Sequence, residues 1–510
     1  MDVSSWIAHW ASWTPDKVAL RFEGREICYG ELEQDLAAVA ACLQTQGVSA
    51  GDRVGYLGPN CPELLELLFA CARLEAIFVP LNNRMPAAEL RVFVAATEPR
   101  LLIAEESFRE VGQDTMRDRG RDRLKTFIVG DRLRFASRVG SAVASSSIDL
   151  TAPALILFTS GSTGRPKGAT FTNQNLTFNA LNALTAFGLT AADEILTPVP
   201  MFHSGGLFIH TTPGLCAGAT ITIHREFDPG RVIEEIQSRR ITLLPSVPAM
   251  TFALARHPAW ARADLSSLRC VATGSTMVPR GAIEAWQAKG VSVVQGYGST
   301  EACPTAVTIA PGSPAEAAFS AGKPALYSQL RIVDDSGRDV PTGEPGEVWI
   351  RGPAVMHSYW NNEQATREAF RDGWFRNGDL GLINEQGYLR IVGRIRDTII
   401  VGTSNVYPSD LEAVLEDCPE IREAAVVGRS HERLGEVPVA CVVTTQVSTL
   451  TPQQVLALFE NRLAAYKHPR DVIFLDALPR NWHGKIDRRQ LHQIVATATA
   501  DDPSTPAPNQ

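Results

Sequence analysis

The sequence predicts an α/β protein: a large N-terminal domain of helix-covered sheets that includes a β subdomain, followed by a small α+β C-terminal domain. Three observations carry this. From residue 30 onward, short β-rich apolar runs alternate with helical patterns, which is the pattern of sheets covered by helices. After about residue 325 the texture changes to hairpins. After Arg394 a third composition begins and continues for about a hundred residues, the size of a compact domain. The domains are therefore placed at 1–394, with the β subdomain at about 325–394, and at 395–498, while the polar, Pro-rich 499–510 is expected to be a disordered tail.

Each element has a local reason. Glu31 to Gln46 sets Leu32, Leu36, Val39, Ala40 and Leu43 on one helical face and stops at Gly47. Arg53 to Leu57 reads as a strand, Pro62 opens a helix to Glu75, and Ile77 to Leu81 is strand again, a βαβ unit. Strands are expected at Leu155–Phe158, Ile195–Val199, Ala219–Ile223, Ile241–Leu244, Arg269–Ala272 and Val291–Gln295. Turns at Asp334–Gly337 and Asn384–Gly387 join the hairpin strands of the β subdomain. In the C-terminal domain, Thr398–Val401 is a strand, Ser409 and Glu412 form an expected capping box, Ala425–Gly428 is a strand, and Thr451-Pro452-Gln453-Gln454 opens a helix.

Composition excludes several functions. Lys and Arg number 48 against 56 Asp and Glu, net −8, so no basic surplus points to nucleic acid. The one basic cluster, Arg117 to Lys125, is interleaved with Asp118 and Asp122 and reads as a solvated loop or helix. The nine cysteines contain no C-x-x-C pair, which argues against a disulfide scaffold or zinc site and fits a reducing cytoplasm. The start MDVSSWIAHW lacks the basic and apolar regions of a signal peptide. No run reaches the about 20 apolar residues of a membrane span; the most apolar, Leu64 to Leu81, carries Glu66, Arg73 and Glu75.

Chemistry concentrates first at Thr159-Ser160-Gly161-Ser162-Thr163-Gly164-Arg165-Pro166-Lys167-Gly168. Glycines admit a ligand close to the backbone, hydroxyls and N–H groups donate to anions, and Lys167 adds a point charge, so the segment reads as a phosphate cradle rather than a plain hairpin turn. Pro166 before the lysine, and a strand-like Gly168 to Thr172 after it, separate it from a P-loop.

These ten residues resemble the signature loop of the adenylate-forming superfamily, the acyl-CoA and aryl-CoA synthetases, luciferases and peptide-synthetase adenylation domains. Five further segments resemble that family's motifs in the right order: Pro200-Met201-Phe202-His203-Ser204-Gly205-Gly206, Gly296-Tyr297-Gly298-Ser299-Thr300-Glu301, Trp374-Phe375-Arg376-Asn377-Gly378-Asp379, Gly393-Arg394-Ile395-Arg396-Asp397 and PRNWHGKIDR from Pro479 to Arg488. The resemblance runs from about residue 15 to 495. It implies an acid:CoA ligase that uses ATP, Mg2+ and CoA. First ATP and a carboxylate give acyl-adenylate and pyrophosphate; then CoA displaces AMP. An adenylating enzyme that loads a carrier protein, or keeps one half-reaction, is the alternative. A carboxylate is a poor electrophile, so activation needs phosphate charge neutralised and a cation at the α-phosphate.

Residue by residue, the resemblance places the phosphates at Thr159, Ser160, Gly161, Ser162, Thr163, Gly164 and Lys167, and the rest of the nucleotide at Ser275, Gly296, Tyr297, Gly298, Thr300, Asp379 and Arg394. Tyr297 offers a flat face for adenine, Asp379 suits two ribose hydroxyls, and Arg394 reaches the same sugar. Thr300 offers a hydroxyl to the α-phosphate and Glu301 a hard oxygen ligand to Mg2+. His203 gates the acid pocket, which Gly205, Gly206, Gly274 and Gly298 line with space. Lys485 bridges carboxylate and α-phosphate. Asp397 is the hinge of a mobile C-terminal domain, and Gly402 and Thr403 line the CoA path. Thr403 and Ser404 depart from the family's paired glycines, and Trp482 and His483 are bulkier than usual beside Lys485. The glycines favour a medium or long acyl chain or a bulky cyclic acid over acetate. No nucleic acid and no membrane span are expected, and the protein is expected as a monomer or homodimer.

Overall fold

The computed structural model describes residues 3–118, 124–127, 149–159, 166–274, 278, 280–310, 312–402, 404–445, 448–480 and 485–498. The chain divides into two compact units. The first holds Met1–Arg331, Trp349–Asn377 and Gln386–Leu389; the second holds Ile332–Val348, Gly378–Glu385 and Arg390–Gln510.

Two seven-stranded sheets organise the first unit. One runs in the order Ser292–Gln295, Cys270–Thr273, Leu243–Pro245, Glu194–Thr197, Thr220–Ile223, Val18–Phe22 and Arg25–Cys28, parallel except for its last strand. The other contains the expected βαβ unit: Arg53–Leu57 and Ile77–Leu81 pair in parallel, joined by the helix Pro62–Arg73. That helix is buried at every position, Glu63, Glu66 and Arg73 included. Two of its charges are paired, which offsets the cost of their burial: Arg73 meets Glu33 at 2.8 Å and Arg25 lies 3.8 Å from Glu63. The helix Tyr29–Thr45 starts with a reciprocal cap between Cys28 and Glu31 and ends before Gly47, whose φ of 80° supplies the left-handed stop.

Lys125, expected in a solvated loop or helix, lies in the strand Leu124–Phe127, which pairs in parallel with Leu101–Glu105. The Leu124 methyl comes within 3.0 Å of the space a Cβ would take at Gly112.

In the second unit, Ser404–Val406, Ile399–Val401, Gly435–Thr444 and Ile421–His431 form an antiparallel sheet, with Asp471–Phe474 added in parallel to Gly435–Thr444. Alternation along its strands feeds two cores. Val426, Ala440 and Val442 pack with Leu411, Leu415 and Phe459, whereas Ala425, Val427, Val439, Cys441 and Val443 pack with Leu478, Leu491 and Val495. The expected Asp334–Gly337 turn is present, closed by Gly337 N–H to the Asp334 carbonyl. The capping box at Ser409 and Glu412 is not formed. Pro408 takes the first helical position, so the helix Pro408–Glu416 has Tyr407 as its cap residue. Ser409 instead donates to the Val392 carbonyl, and Glu412 accepts from Val426 N–H and Arg488. The helix Pro452–Ala457 opens at Thr451 as expected, with a capping box between Thr451 and Gln454. No described helix is long and apolar enough to cross a membrane.

Candidate functional site

The site is assembled where parallel strands of the first sheet end. His203 follows the strand Glu194–Thr197, Gly274 follows Cys270–Thr273, and Gly296 to Glu301 follow Ser292–Gln295. Ligands in α/β sheets bind outside the carboxyl ends of the strands, because loops there are free to vary over a fixed frame.

The second sheet contributes the phosphate segment. Pro153–Thr159 and Lys167–Thr172 form an antiparallel pair whose last register partners are Thr159 and Lys167. Those two residues therefore sit side by side at the mouth of the loop. Ser160, Gly161, Ser162, Thr163 and Gly164 lie outside the described residues, as do Ser275, Thr403, Trp482, His483 and the tail 499–510.

Glu301 connects these parts. Its Oε1 accepts from the Thr159 hydroxyl at 3.1 Å and from the Tyr359 hydroxyl at 2.9 Å. Lys167 Nζ stands 5.0 Å from the centre of the Tyr359 ring, a cation–π contact. Burial, and then Glu301, push the Tyr359 phenol upward, so it remains protonated and donating. Next to it, the Thr300 hydroxyl pairs with that of Ser204 at 3.1 Å. Ser204 opens the short helix Ser204–Phe208, with His203 in extended conformation before it. The His203 ring leans on Phe202, centroids 4.5 Å apart. Tyr297 is fixed by two backbone bonds to Val307, and its hydroxyl takes a hydrogen bond from Asn377.

The glycines read as room are of two kinds. A Cβ on Gly298 would lie 2.1 Å from the Cys303 carbonyl oxygen, on Gly206 2.1 Å from that of Pro200, and on Gly274 2.9 Å from that of Gly296. Backbone crowding alone explains those three. Gly205 differs, since its nearest neighbour would be the Ile209 methyl at 4.0 Å.

In the second unit, Asp379 is buried and meets Arg394 Nε at 3.0 Å. Asp397 ends a single helical turn and lies 3.6 Å from Arg488 Nε. Burial opposes the charged form of Arg488, but Glu412 and Asp397 outweigh it and hold the guanidinium above its ordinary value. Gly402, at φ 63°, begins the two-residue connection between Ile399–Val401 and Ser404–Val406. Lys485 is exposed, next to Ile486 and Asp487, which meet Arg480 in an antiparallel bridge and the Pro479 carbonyl through Asp487 N–H.

This arrangement, the Thr159 and Tyr359 hydroxyls on one carboxylate, Lys167 over the Tyr359 ring and the Thr300 hydroxyl beside Ser204, is suited to a polyphosphate. Residues 7–360 match the model of the AMP-binding enzyme family and residues 410–485 that of the AMP-binding enzyme C-terminal domain. The chain belongs to the AMP-binding enzymes. It is 43% identical over 98% of its length to an indoleacetate–CoA ligase of Aromatoleum aromaticum, covering 99% of that protein. A feruloyl-CoA synthase of Amycolatopsis is 39% identical, with 96% and 98% covered. The ATP-bound structure of MatB from Rhodopseudomonas palustris superposes with a TM-score of 0.88 at 29% identity, over 97% of this chain and 99% of that one.

For an AMP-binding enzyme of this kind, the donor set fits magnesium: Glu301 brings one carboxylate, and a magnesium ion is commonly held by one or two carboxylates together with substrate phosphates. Among the described residues both hydroxyl bonds fall on Oε1 and none on Oε2. Two site residues escaped sequence reasoning. Ser204 stands inside the His203 motif but carries no signal of its own; Tyr359 lies 58 positions from Glu301 on a two-residue strand without periodicity.

Proposed function

We propose that this AMP-binding enzyme is an acid:CoA ligase acting on a carboxylic acid with an aromatic ring, and that Thr159, Lys167, Thr300 and Glu301 form its polyphosphate site. Ligation proceeds by adenylation of the acid with release of pyrophosphate, then attack by the CoA thiol with release of AMP. The observation that carries the reading is the convergence on Glu301 of Thr159, 142 positions away, with Lys167 at the same hairpin mouth. Lys167 faces the phosphates, and Thr300 offers its hydroxyl to the α-phosphate. Glu301 would hold Mg2+, which when bound would supply neutralisation of phosphate charge. Tyr297, steadied by Asn377, gives adenine a flat face. Asp379, oriented by Arg394, accepts the ribose hydroxyls. His203 gates the acid, Lys485 neutralises the carboxylate and α-phosphate in the first step, and Asp397, Gly402 and Thr403 serve the second.

The aromatic acid is supported by the two relatives named for indoleacetate and feruloyl substrates, and by the open space at Gly205 beside Phe202 and His203. The nine free cysteines suit a reducing cytoplasm. A panel of acids assayed for pyrophosphate release tests this. Indoleacetate, phenylacetate and ferulate are expected to exceed octanoate and acetate in kcat/KM by about tenfold or more, the worth of a well-filled apolar pocket. Equal or higher values for octanoate would reject the aromatic assignment.

A further inference from the structure

We propose that Tyr359 is a positioning residue for adenylation: its hydroxyl fixes the rotation of the Glu301 carboxylate, and its ring keeps Lys167 from that carboxylate. The proposal rests on the reading of Glu301 as the metal ligand, and it assigns a role outside the motifs that carry that reading.

A carboxylate turns easily about its last side-chain bond, and a metal ligand must be held in the productive orientation by its neighbours. Here two hydroxyl donors, Thr159 and Tyr359, converge on the single atom Oε1. Two bonds on one oxygen fix the plane of the group and point Oε2 away from both donors. Tyr359 can act as a rigid post because its backbone is fixed. It pairs with Ala169 across the edge of the second sheet, its N–H donates to Thr366 Oγ1 at 3.0 Å, and nearby Met356 N–H donates to the Glu301 carbonyl at 2.7 Å. The segment is thus tied to Glu301 through both backbone and side chain.

The ring has a second consequence. Lys167 rests over its face at 5.0 Å, and no Lys167–Glu301 ion pair forms among the described residues. Both the ammonium and the carboxylate contact Tyr359; if they paired they would neutralise one another, removing the phosphate's cation and the metal's ligand together. Tyr359 itself is buried, with 8% of its surface exposed.

The test is ATP binding by calorimetry on the full chain without acid, so that nothing turns over, as a function of Mg2+. Tyr359→Phe keeps the ring and removes the hydroxyl. It should raise the Mg2+ concentration for half-maximal ATP binding about tenfold, the scale of one hydrogen bond to a charged group, and change ATP binding in EDTA less than twofold. Tyr359→Leu should also weaken ATP binding in EDTA severalfold, because Lys167 then pairs with Glu301. Glu301→Gln serves as the reference. If it shifts the Mg2+ dependence and Tyr359→Phe does not, the positioning role is wrong and the metal reading stands. If neither shifts it, both fail. A Tyr359→Phe protein weakened equally with and without Mg2+ has lost packing only, which also overturns the proposal. Thermal unfolding of each variant confirms a folded sample, and the Phe variant decides the matter alone where the Leu variant does not fold.

Discussion

Among single residues, His210 shows how burial sets behaviour that no sequence pattern announces. It is enclosed completely, edge-on to Phe187 with centroids 4.6 Å apart, and neither ring nitrogen has a hydrogen-bond partner among the described residues. Burial pushes the imidazole down to about 3, and burial pushes His224 down to about 4. In the unfolded chain each takes a proton near pH 6.5, whereas the folded state binds it only at much lower pH. The unfolded state therefore holds more protons over this window, and stability falls as pH drops from about 6.5 towards 3 to 4. The loss is roughly 1.4 kcal/mol per pH unit for each group. His210→Leu gives up no described hydrogen bond, so it should flatten the acid side of the curve and recover on the order of 2 kcal/mol at pH 5 relative to pH 7.5. Thermal unfolding of both proteins across this range checks it; parallel curves would show that His210 is not the group being titrated. Lone histidines such as this one are not legible in sequence because the information is in what surrounds them.

Among elements, the turn that carries Gly298 and the short helix that carries Gly205 make opposite predictions for the same change. Gly298→Ala puts a methyl 2.1 Å from the Cys303 carbonyl oxygen, in a turn where Cys303 itself has φ 61°. The backbone must move, at a cost of about 1–3 kcal/mol or more. Gly205→Ala meets only a methyl at 4.0 Å inside a helix, where alanine is favoured by roughly 0.5–1 kcal/mol. Melting temperatures should fall for the first and hold or rise for the second, while bulkier replacements at Gly205 narrow the acids accepted. A stable Gly298→Ala protein would contradict the crowding argument. The same contrast marks the limit of reading elements from sequence. Period-two and helical patterns located the βαβ unit and five of the first sheet's seven strands to within one or two residues, because burial on one or both faces enforces those patterns; Val18–Phe22 and Arg25–Cys28, which complete that sheet, were not among the expected strands. The capping box at Ser409 failed because a proline one position earlier moved the helix start, and both side chains found partners elsewhere in the unit. The Glu301 clamp was half legible: Thr159, Lys167, Thr300 and Glu301 stand in dense motifs, but Tyr359 reaches them only through strand pairing at the sheet edge.

For the whole molecule, the proposed division of labour gives the ligase's two reactions to different residues. Adenylation builds negative charge at the α-phosphate, and Lys485 is its proposed partner; thioester formation starts from a mixed anhydride already made and needs no new cation there. Removing one preorganised stabilising charge costs about a hundredfold to a thousandfold in rate. The decisive measurement is product quantification with ATP, indoleacetate and CoA for the wild type and Lys485→Ala, together with consumption of chemically made indoleacetyl-adenylate by CoA. The wild type should release pyrophosphate, AMP and thioester in equal amounts and only when acid is present. Lys485→Ala should lose acid-dependent pyrophosphate release by that factor while converting the supplied adenylate at close to the wild-type rate. Release of ADP and phosphate, or turnover independent of acid, would contradict the ligase; equal loss of both half-reactions in a folded Lys485→Ala protein would contradict the division of labour.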